Sequence, residues 1–159
     1  MDLLIREASP DDAELIAGLT CNAWAGTAAA GSSGHQETGA RVLDDLRLGG
    51  GFILLVDNVA AGSVRWLPMD TEHDVWEIVR MGVTHAFRGQ SLSQHLLEAV
   101  IHQALGCEVT ELRLAVRTDQ QRLIDFYAAL GFEIAPELEY TRDDPQESSL
   151  TVMRRVLRR

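Results

Sequence analysis

Apolar residues recur along the chain with two different spacings, and these spacings predict the order of the secondary-structure elements. Apolar positions three and four residues apart predict helices, whereas alternating or short continuous apolar runs predict strands. The order that results is β, α, α, β, β, β, α, β, α, β, β, without an internal repeat. It predicts a mixed α/β fold with a central, mostly antiparallel sheet that is flanked by about four helices.

Turn and cap residues set the expected element boundaries. Ser9-Pro10-Asp11-Asp12 is typical of a helix start, and the second helix is expected to end at Gly49-Gly50-Gly51. Asp57-Asn58 predicts a tight hairpin turn, and Gly106 and Gly131 are expected to end the last two helices. The predicted strands are 3–7, 52–56, 59–67, 74–84, 111–117, 132–135 and 150–157. The predicted inward residues of the four helices are Leu15, Ile16, Leu19 and Ala23; Val42, Leu43 and Leu46; Leu92, Leu96, Leu97, Val100, Ile101, Ala104 and Leu105; and Leu123, Ile124, Tyr127 and Leu130.

Length, composition and charge limit the classes of protein. The chain has 159 residues, 46% of them hydrophobic and 24% charged, and we expect one domain that spans 1–159. It has neither an apolar run of membrane-spanning length nor the pattern of a signal peptide, so we expect a cytoplasmic protein without a membrane partner. A formal net charge of -10 disfavours nucleic-acid binding. Cys21 and Cys107 have no metal-ligand or redox spacing, and no metal site is expected.

A polar break, Arg88-Gly89-Gln90-Ser91-Leu92-Ser93, separates a predicted strand from an amphipathic helix. A nucleophilic serine at such a break would need a histidine from another element, but the later histidines, His95 and His102, lie on the same helix. Anion binding fits better, because the unpaired N–H groups and the positive dipole end of a helix N-terminus favour a phosphate. A plain strand-to-helix turn that is capped by serine would look similar.

Residues 77–100 resemble the signature of the GNAT superfamily of N-acetyltransferases, in which R-x-x-G-x-G/A follows the fourth strand and its amides hold the pyrophosphate of acetyl-CoA. Val83, Arg88 and Gly89 match, whereas Ser91 and Ser93 occupy the two glycine positions. The segment 120–132 is similar to the family pattern N-x-x-A-x-x-x-Y-x-x-x-G-F, with Gln for Asn and Leu for Ala. The order of elements also agrees, so the resemblance covers nearly the whole chain.

The resemblance implies an acetyl-CoA-dependent N-acetyltransferase that acts through a ternary complex. An amide near Met81 or Val83 would polarise the thioester carbonyl, and Gly82 would allow the ligand to approach the backbone closely. The cofactor-binding residues implied are Met81, Gly82, Val83, Arg88, Gly89, Gln90, Ser91, Leu92, Ser93, Gln94, Gln120 and Tyr127.

The partner that the resemblance implies is a small-molecule or peptide amine acceptor. We expect the acidic stretch 70–77 and the loop 25–35 to shape the acceptor site and to suit a cationic amine. Homodimer formation is left open. Because of the two serines, a non-catalytic acyl-CoA-binding or regulatory module stays as an alternative. A second alternative is an obligate partner subunit that uses the sheet edge rather than chemistry.

Two residues are candidates for proton transfer. Tyr127 matches the family tyrosine that is thought to protonate the thiolate, although the same helical spacing would also make it a core residue. Glu77 opens a run of the form E-I-V-x-x-x-V-T, which begins with the general base in the histone-acetylating branch of the superfamily; the alternative is a solvated carboxylate at the strand end. Because Glu77 lies about 13 Å from Met81 along an ideal strand, proton transfer would need a bulge or a bridging water. His35, His73 and His85 are further candidate bases, although a surface histidine is the commoner explanation of each.

Overall fold

The protein is described here by a computed structural model that covers residues 2–25, 37–89, 91–139 and 149–158. The strands in these ranges are β1 Leu3–Glu7, β2 Gly50–Val56, β3 Val59–Pro68, β4 Val75–Val83, β5 Glu111–Arg117, β6 Glu133–Ile134 and β7 Leu150–Val156. The α-helices are α1 Ala13–Trp24, α2 Gly39–Leu48, α3 Leu92–Gly106 and α4 Gln121–Ala129, and short 3₁₀ turns lie at Pro10–Asp12 and His85–Phe87. This order confirms the predicted order of elements and the predicted mixed α/β class.

The strands form one sheet in the order β1-β2-β3-β4-β5-β7-β6. All neighbouring strands are antiparallel except β4 and β5, which are parallel, so the mostly antiparallel sheet is confirmed. The pairing of β4 with β5 is short, and it ends where Glu77 faces Arg113. Beyond this pair the two strands, which are described in full, no longer pair with each other. We call this place the split of the sheet.

Helices cover both faces of the sheet. Leu54 belongs to a core that contains residues of α3 and α4, such as Leu96, and we call this side the α3–α4 face. The neighbouring residue Ile53 packs instead with Ile16 of α1 and Val42 of α2, on the α1–α2 face. Successive residues of a strand point to opposite faces, so one apolar strand contributes to both cores.

Three of the predicted inward leucines are exposed. The exposed fractions of Leu15, Leu105 and Leu123 are 42%, 37% and 42%. Each of these leucines is next in sequence to a buried residue of its own helix, and one residue corresponds to about 100° of rotation around the helix axis. The apolar stripe in the sequence is therefore wider than the face that each helix buries.

The predicted turns are found at the expected places. Asp57 and Asn58 both have left-handed backbone angles, with φ of 48° and 69°, which is the geometry of a tight hairpin turn. Gly131, with φ of 92°, follows α4 as predicted. At the end of α3 the prediction is only approximate, because Gly106 is the last helical residue and the left-handed position is occupied by Glu108.

Candidate active site

The turn between β4 and α3 is built from left-handed residues. Gly89 has φ of 80° and Ser91 has φ of 59°. A Cβ atom on Gly89 would meet nothing within 4 Å beyond its chain neighbours, so the backbone angle, rather than crowding, favours glycine there. Ser91 precedes α3 and its side chain makes no capping hydrogen bond. The backbone angle of Ser91 gives a physical reason for the glycine that the R-x-x-G-x-G/A motif has at this position. Gln90 lies outside the described residues.

Arg88 and His85 fasten this turn to the end of α1. The Nη2 atom of Arg88 donates a hydrogen bond to the carbonyl oxygen of Ala23. The backbone N–H of His85 donates to Oδ1 of Asn22 over 3.2 Å, and its ring Nε2 contacts the carbonyl oxygen of Ala25. The cation of Arg88 therefore lies at a helix C-terminus, where positive charge is favourable.

β4 contains a bulge, in which Arg80 and Met81 face the single residue Val64 of β3. Arg80 has φ of 54°, a conformation that costs a residue with a side chain on the order of 1 kcal/mol. The bulge also shifts the alternation of the strand, so that Met81 and Val83 join Ile78 in the core of the α3–α4 face. The strand thus contains, at Arg80 and Met81, one of the two features, a bulge or a bridging water, that proton transfer from Glu77 would need.

A cluster of buried and half-buried charged side chains lies beside this bulge on the α1–α2 face. The Oε2 atom of Glu37 accepts hydrogen bonds from Nη2 of Arg65 at 2.8 Å and from Nε of Arg80 at 3.0 Å. Nη1 of Arg65 donates to Asp45 over 2.8 Å. Burial acts to raise the pKa of Glu37, but the hydrogen bonds and charges of the two arginines hold this pKa below the usual value of a glutamate. Glu37 is therefore a buried, ionised carboxylate.

None of the sequence motifs specifies Glu37, Arg65 or Arg80. Arg65 is the one charged residue in the predicted strand 59–67. A charge in a buried strand needs a partner, so this arginine was the available signal for a buried ion pair.

Glu77 lies at the split of the sheet and is only 5% exposed, so it is not a solvated carboxylate at a strand end. It faces Arg113 of β5 in the parallel register. Because the adjacent residue Ile78 belongs to the core of the α3–α4 face, alternation directs the side chain of Glu77 to the α1–α2 face.

Tyr127 lies on the opposite side of the sheet, in the core of the α3–α4 face. Its ring makes edge contacts with Phe126 and Phe132, with centroids 5.1 and 5.8 Å away. Burial raises the pKa of the Tyr127 phenol, which therefore keeps its proton at neutral pH. The two residues predicted to transfer protons thus lie on different faces of the sheet.

The other predicted cofactor residues differ in what they can offer a ligand. Leu92 is 2% exposed, which leaves its backbone rather than its side chain for binding. Ser93 and Gln94 are half-buried in the first turn of α3, and the Gln94 side chain donates to Glu98 over 2.9 Å. Gln120 is the cap residue of α4.

Gly82 allows β4 to approach α1 closely. A Cβ atom at this position would lie 2.9 Å from Cβ of Ala23 and 2.9 Å from the ring of Trp24. Packing against α1 is therefore one reason for the glycine, and the close approach of a ligand to Gly82 stays a prediction. His73 is exposed, and His35 lies outside the described residues.

Solved N-acetyltransferases share this fold. The ribosomal-protein-S18-alanine N-acetyltransferase from Escherichia coli superposes with a TM-score of 0.79 at 18% identity, over 99% of this chain and 96% of that chain. A GNAT family acetyltransferase from Streptococcus pneumoniae superposes with a TM-score of 0.74 at 21% identity, over 98% of this chain and 99% of that chain. The PaiA N-acetyltransferase from Thermoplasma acidophilum, in complex with coenzyme A, superposes with a TM-score of 0.76 at 15% identity, over 98% of this chain and 99% of that chain.

The sequence itself shows the family. The sequence model of the acetyltransferase (GNAT) family matches residues 20–132, and the chain therefore belongs to this family, whose members are generally acyl-CoA-dependent acetyltransferases. No curated protein matches the sequence. Within the described ranges, no helix is long and apolar enough to cross a membrane, and no group of three His, Cys, Asp or Glu residues could hold a metal ion.

Proposed function

We propose that this protein transfers the acetyl group of acetyl-CoA to a primary amine by direct attack in a ternary complex. The split of the sheet is the observation that carries the proposal. Beyond Glu77, β4 pairs with β3 on one side but not with β5 on the other. Its backbone groups on the β5 side can therefore bond the amide-containing arm of the cofactor, as backbone polar groups require a partner.

The turn after β4 supplies the second part of the cofactor site. Its left-handed residues Gly89 and Ser91 lead directly into α3, a helix that ends at Gly106. The first N–H groups of such a helix have no partner within the helix, and its dipole favours a negative charge. We assign the pyrophosphate of acetyl-CoA to this turn, with contacts from residues 89–94.

The reaction needs a base, a polarised carbonyl and an acid. A new C–N bond forms when the neutral amine attacks the thioester carbon, and the C–S bond breaks to release the thiolate of CoA. The nitrogen loses a second proton as the amide forms, and this loss balances the proton that the thiolate gains. We assign removal of the ammonium proton to Glu77, polarisation of the carbonyl to an amide near Met81 or Val83, and protonation of the thiolate to Tyr127. Glu77 and Tyr127 lie on opposite faces of the sheet, which supports assigning the two proton transfers to separate groups.

The acceptor in this proposal is a small molecule or a peptide with a primary amine. The net charge of -10 supports a cationic acceptor, since an acidic surface attracts cations. A second candidate, a non-catalytic acyl-CoA-binding module, is supported by Ser91, whose side chain occupies a position that favours glycine.

Release of CoA thiol from acetyl-CoA in the presence of an amine panel tests the proposal. We expect thiol release that depends on one class of amine and exceeds spontaneous hydrolysis. Calorimetry with CoA separates the alternatives, because binding without amine-dependent release would support the second candidate. The absence of both heat and a thermal shift with CoA at about 1 mM, the upper end of typical enzyme substrate constants, would exclude both candidates.

A further inference from the structure

One hydrogen bond joins the segment before α2 to the irregular point of β4. Glu37 precedes α2, and its Oε2 atom accepts from Nε of Arg80 over 3.0 Å. Arg80 directly precedes Met81, where the proposed function requires a backbone group to contact the thioester. A buried carboxylate that lies outside β4 therefore contacts the part of the strand that has to be placed most accurately.

We propose that Glu37 is a positioning residue, which holds the bulge of β4 at Arg80 in the form needed for acetyl transfer. The inference rests on the proposed function of the split. Glu37 does not touch the reacting atoms in this account. It acts through the side chain of Arg80 on the backbone of the residues that follow.

The bulge needs such support because Arg80 has a left-handed backbone angle. A residue with a side chain avoids φ of 54°, and no glycine relieves the bulge at this position. Relaxation of Arg80 to a negative φ would disturb the register that joins Ser63 to Gly82. A slip by one residue would turn Met81 and Val83 away from the α3–α4 face, since side chains alternate along a strand.

Glu37 is suited to this role because it is itself fixed. Arg65, which is fully buried, donates to Glu37 from Nη2 at 2.8 Å and to Asp45 of α2 from Nη1 at 2.8 Å. Through Arg65, Glu37 is thus connected to α2 on the α1–α2 face. Among the described residues, Glu37 is the partner that bonds Arg80, whose side chain is 23% exposed.

Two substitutions at Arg80 separate backbone positioning from direct contact with a substrate. Arg80→Gly removes the side chain but suits a positive φ, whereas Arg80→Ala removes the side chain and keeps the unfavourable backbone angle. We expect Arg80→Ala and Glu37→Gln to lower kcat by roughly tenfold to a hundredfold, as small displacements of reacting groups do, with the Kd of CoA little changed. Arg80→Gly should keep most of the wild-type kcat.

The double variant Glu37→Gln with Arg80→Gly completes a double-mutant cycle of these two residues, with kcat as the readout. If Glu37 acts through Arg80, the double variant should have the kcat of Arg80→Gly alone, because residue 80 then has no side chain for Glu37 to hold. A kcat of Arg80→Gly as low as that of Arg80→Ala would overturn the proposal and would indicate that the guanidinium itself contacts the acceptor.

Amide hydrogen exchange tests the bulge without any catalytic assay. We expect faster exchange in residues 78–83 of Glu37→Gln and Arg80→Ala, but not of Arg80→Gly. Exchange in α3 is the control for global instability, and Arg80→Ala, which keeps the bond between Glu37 and Arg65, provides the test if Glu37→Gln does not fold. Unchanged exchange in both variants would overturn the inference. A wild-type protein without acetyl transfer would contradict the proposed function, and exchange would still decide the role of Glu37.

Discussion

Replacement of Arg65 by methionine tests how strongly the buried charges support the fold. Arg65 is fully buried and donates hydrogen bonds of 2.8 Å to both Glu37 and Asp45. Methionine is also unbranched and apolar along its stem, but it cannot donate these bonds. Arg65→Met would leave Glu37, whose side chain is 3% exposed, with Arg80 as its described partner. Removal of one member of a buried ion pair costs about 3–5 kcal/mol, because the other charge stays buried.

Thermal unfolding measures this cost. In a protein of this size 1 kcal/mol corresponds to about 2–4 °C, so Tm should fall by roughly 6–20 °C. The matched control is Arg6→Met, which removes hydrogen bonds of 2.9 Å to Asp12 from an arginine side chain that is 40% exposed. An exposed pair contributes up to about 1 kcal/mol, so the control should lose only a few degrees.

A second variant tests whether the unpaired charge of Glu37 causes the loss of stability in Arg65→Met. Arg65→Met combined with Glu37→Gln should recover part of the lost stability, because a neutral glutamine needs no cation. A Tm loss for Arg65→Met that is no larger than the loss for Arg6→Met would refute the reasoning from burial.

Four further predictions follow from single residues. Ser91→Gly should leave the Kd of CoA in calorimetry unchanged or lower, because φ of 59° suits glycine; a large loss of affinity would show instead that the hydroxyl is a ligand. Tyr127→Phe should lower turnover by roughly tenfold or more with unchanged CoA affinity, and undiminished turnover would leave Tyr127 as a core residue. Glu77→Gln should lower turnover, with partial recovery at higher pH as more of the amine loses its proton, whereas an equal loss at every pH would indicate substrate positioning. The hydrogen bond from Arg6 lowers the pKa of Asp12 from 3.8 to about 2, so its stabilising contribution is present above the unfolded-state pKa and is lost as the pH falls towards 2. Asp12→Asn should therefore lose less stability than wild type over this acidic interval in denaturant unfolding, and equal losses would contradict the assignment.

Local patterns predicted much of the fold because the interactions that form each element are close in sequence. The hairpin turn at Asp57 and Asn58 follows from two adjacent residues that tolerate a left-handed backbone. The three consecutive glycines predict only a helix end, but two of them, Gly50 and Gly51, belong to β2. A Cβ atom on Gly50 would lie 2.4 Å from the ring of Trp66, a contact that depends on tertiary packing and not on the local pattern.

The candidate site was predicted less completely, for a related physical reason. The motif that contains Gly89 and Ser91 is continuous in sequence, so its turn could be recognised directly. Glu37 is 28 residues from Arg65 and 43 from Arg80, and the sheet register and the approach of α2 bring the three together. The charge of Arg65 indicated that a partner was needed, but no local spacing could identify Glu37 among 24 acidic residues.

The central claim is that this chain moves an acetyl group from acetyl-CoA to an amine. The most direct measurement uses acetyl-CoA with an isotopically labelled acetyl group, an amine panel and the wild-type protein, and follows the acetylated amine by mass spectrometry. The account predicts a labelled product that forms only with protein present, with release of one CoA thiol for each acetyl group transferred, and that becomes scarce with Tyr127→Phe. CoA binding without labelled product from any amine class, including peptides, polyamines and small cationic metabolites, would contradict it.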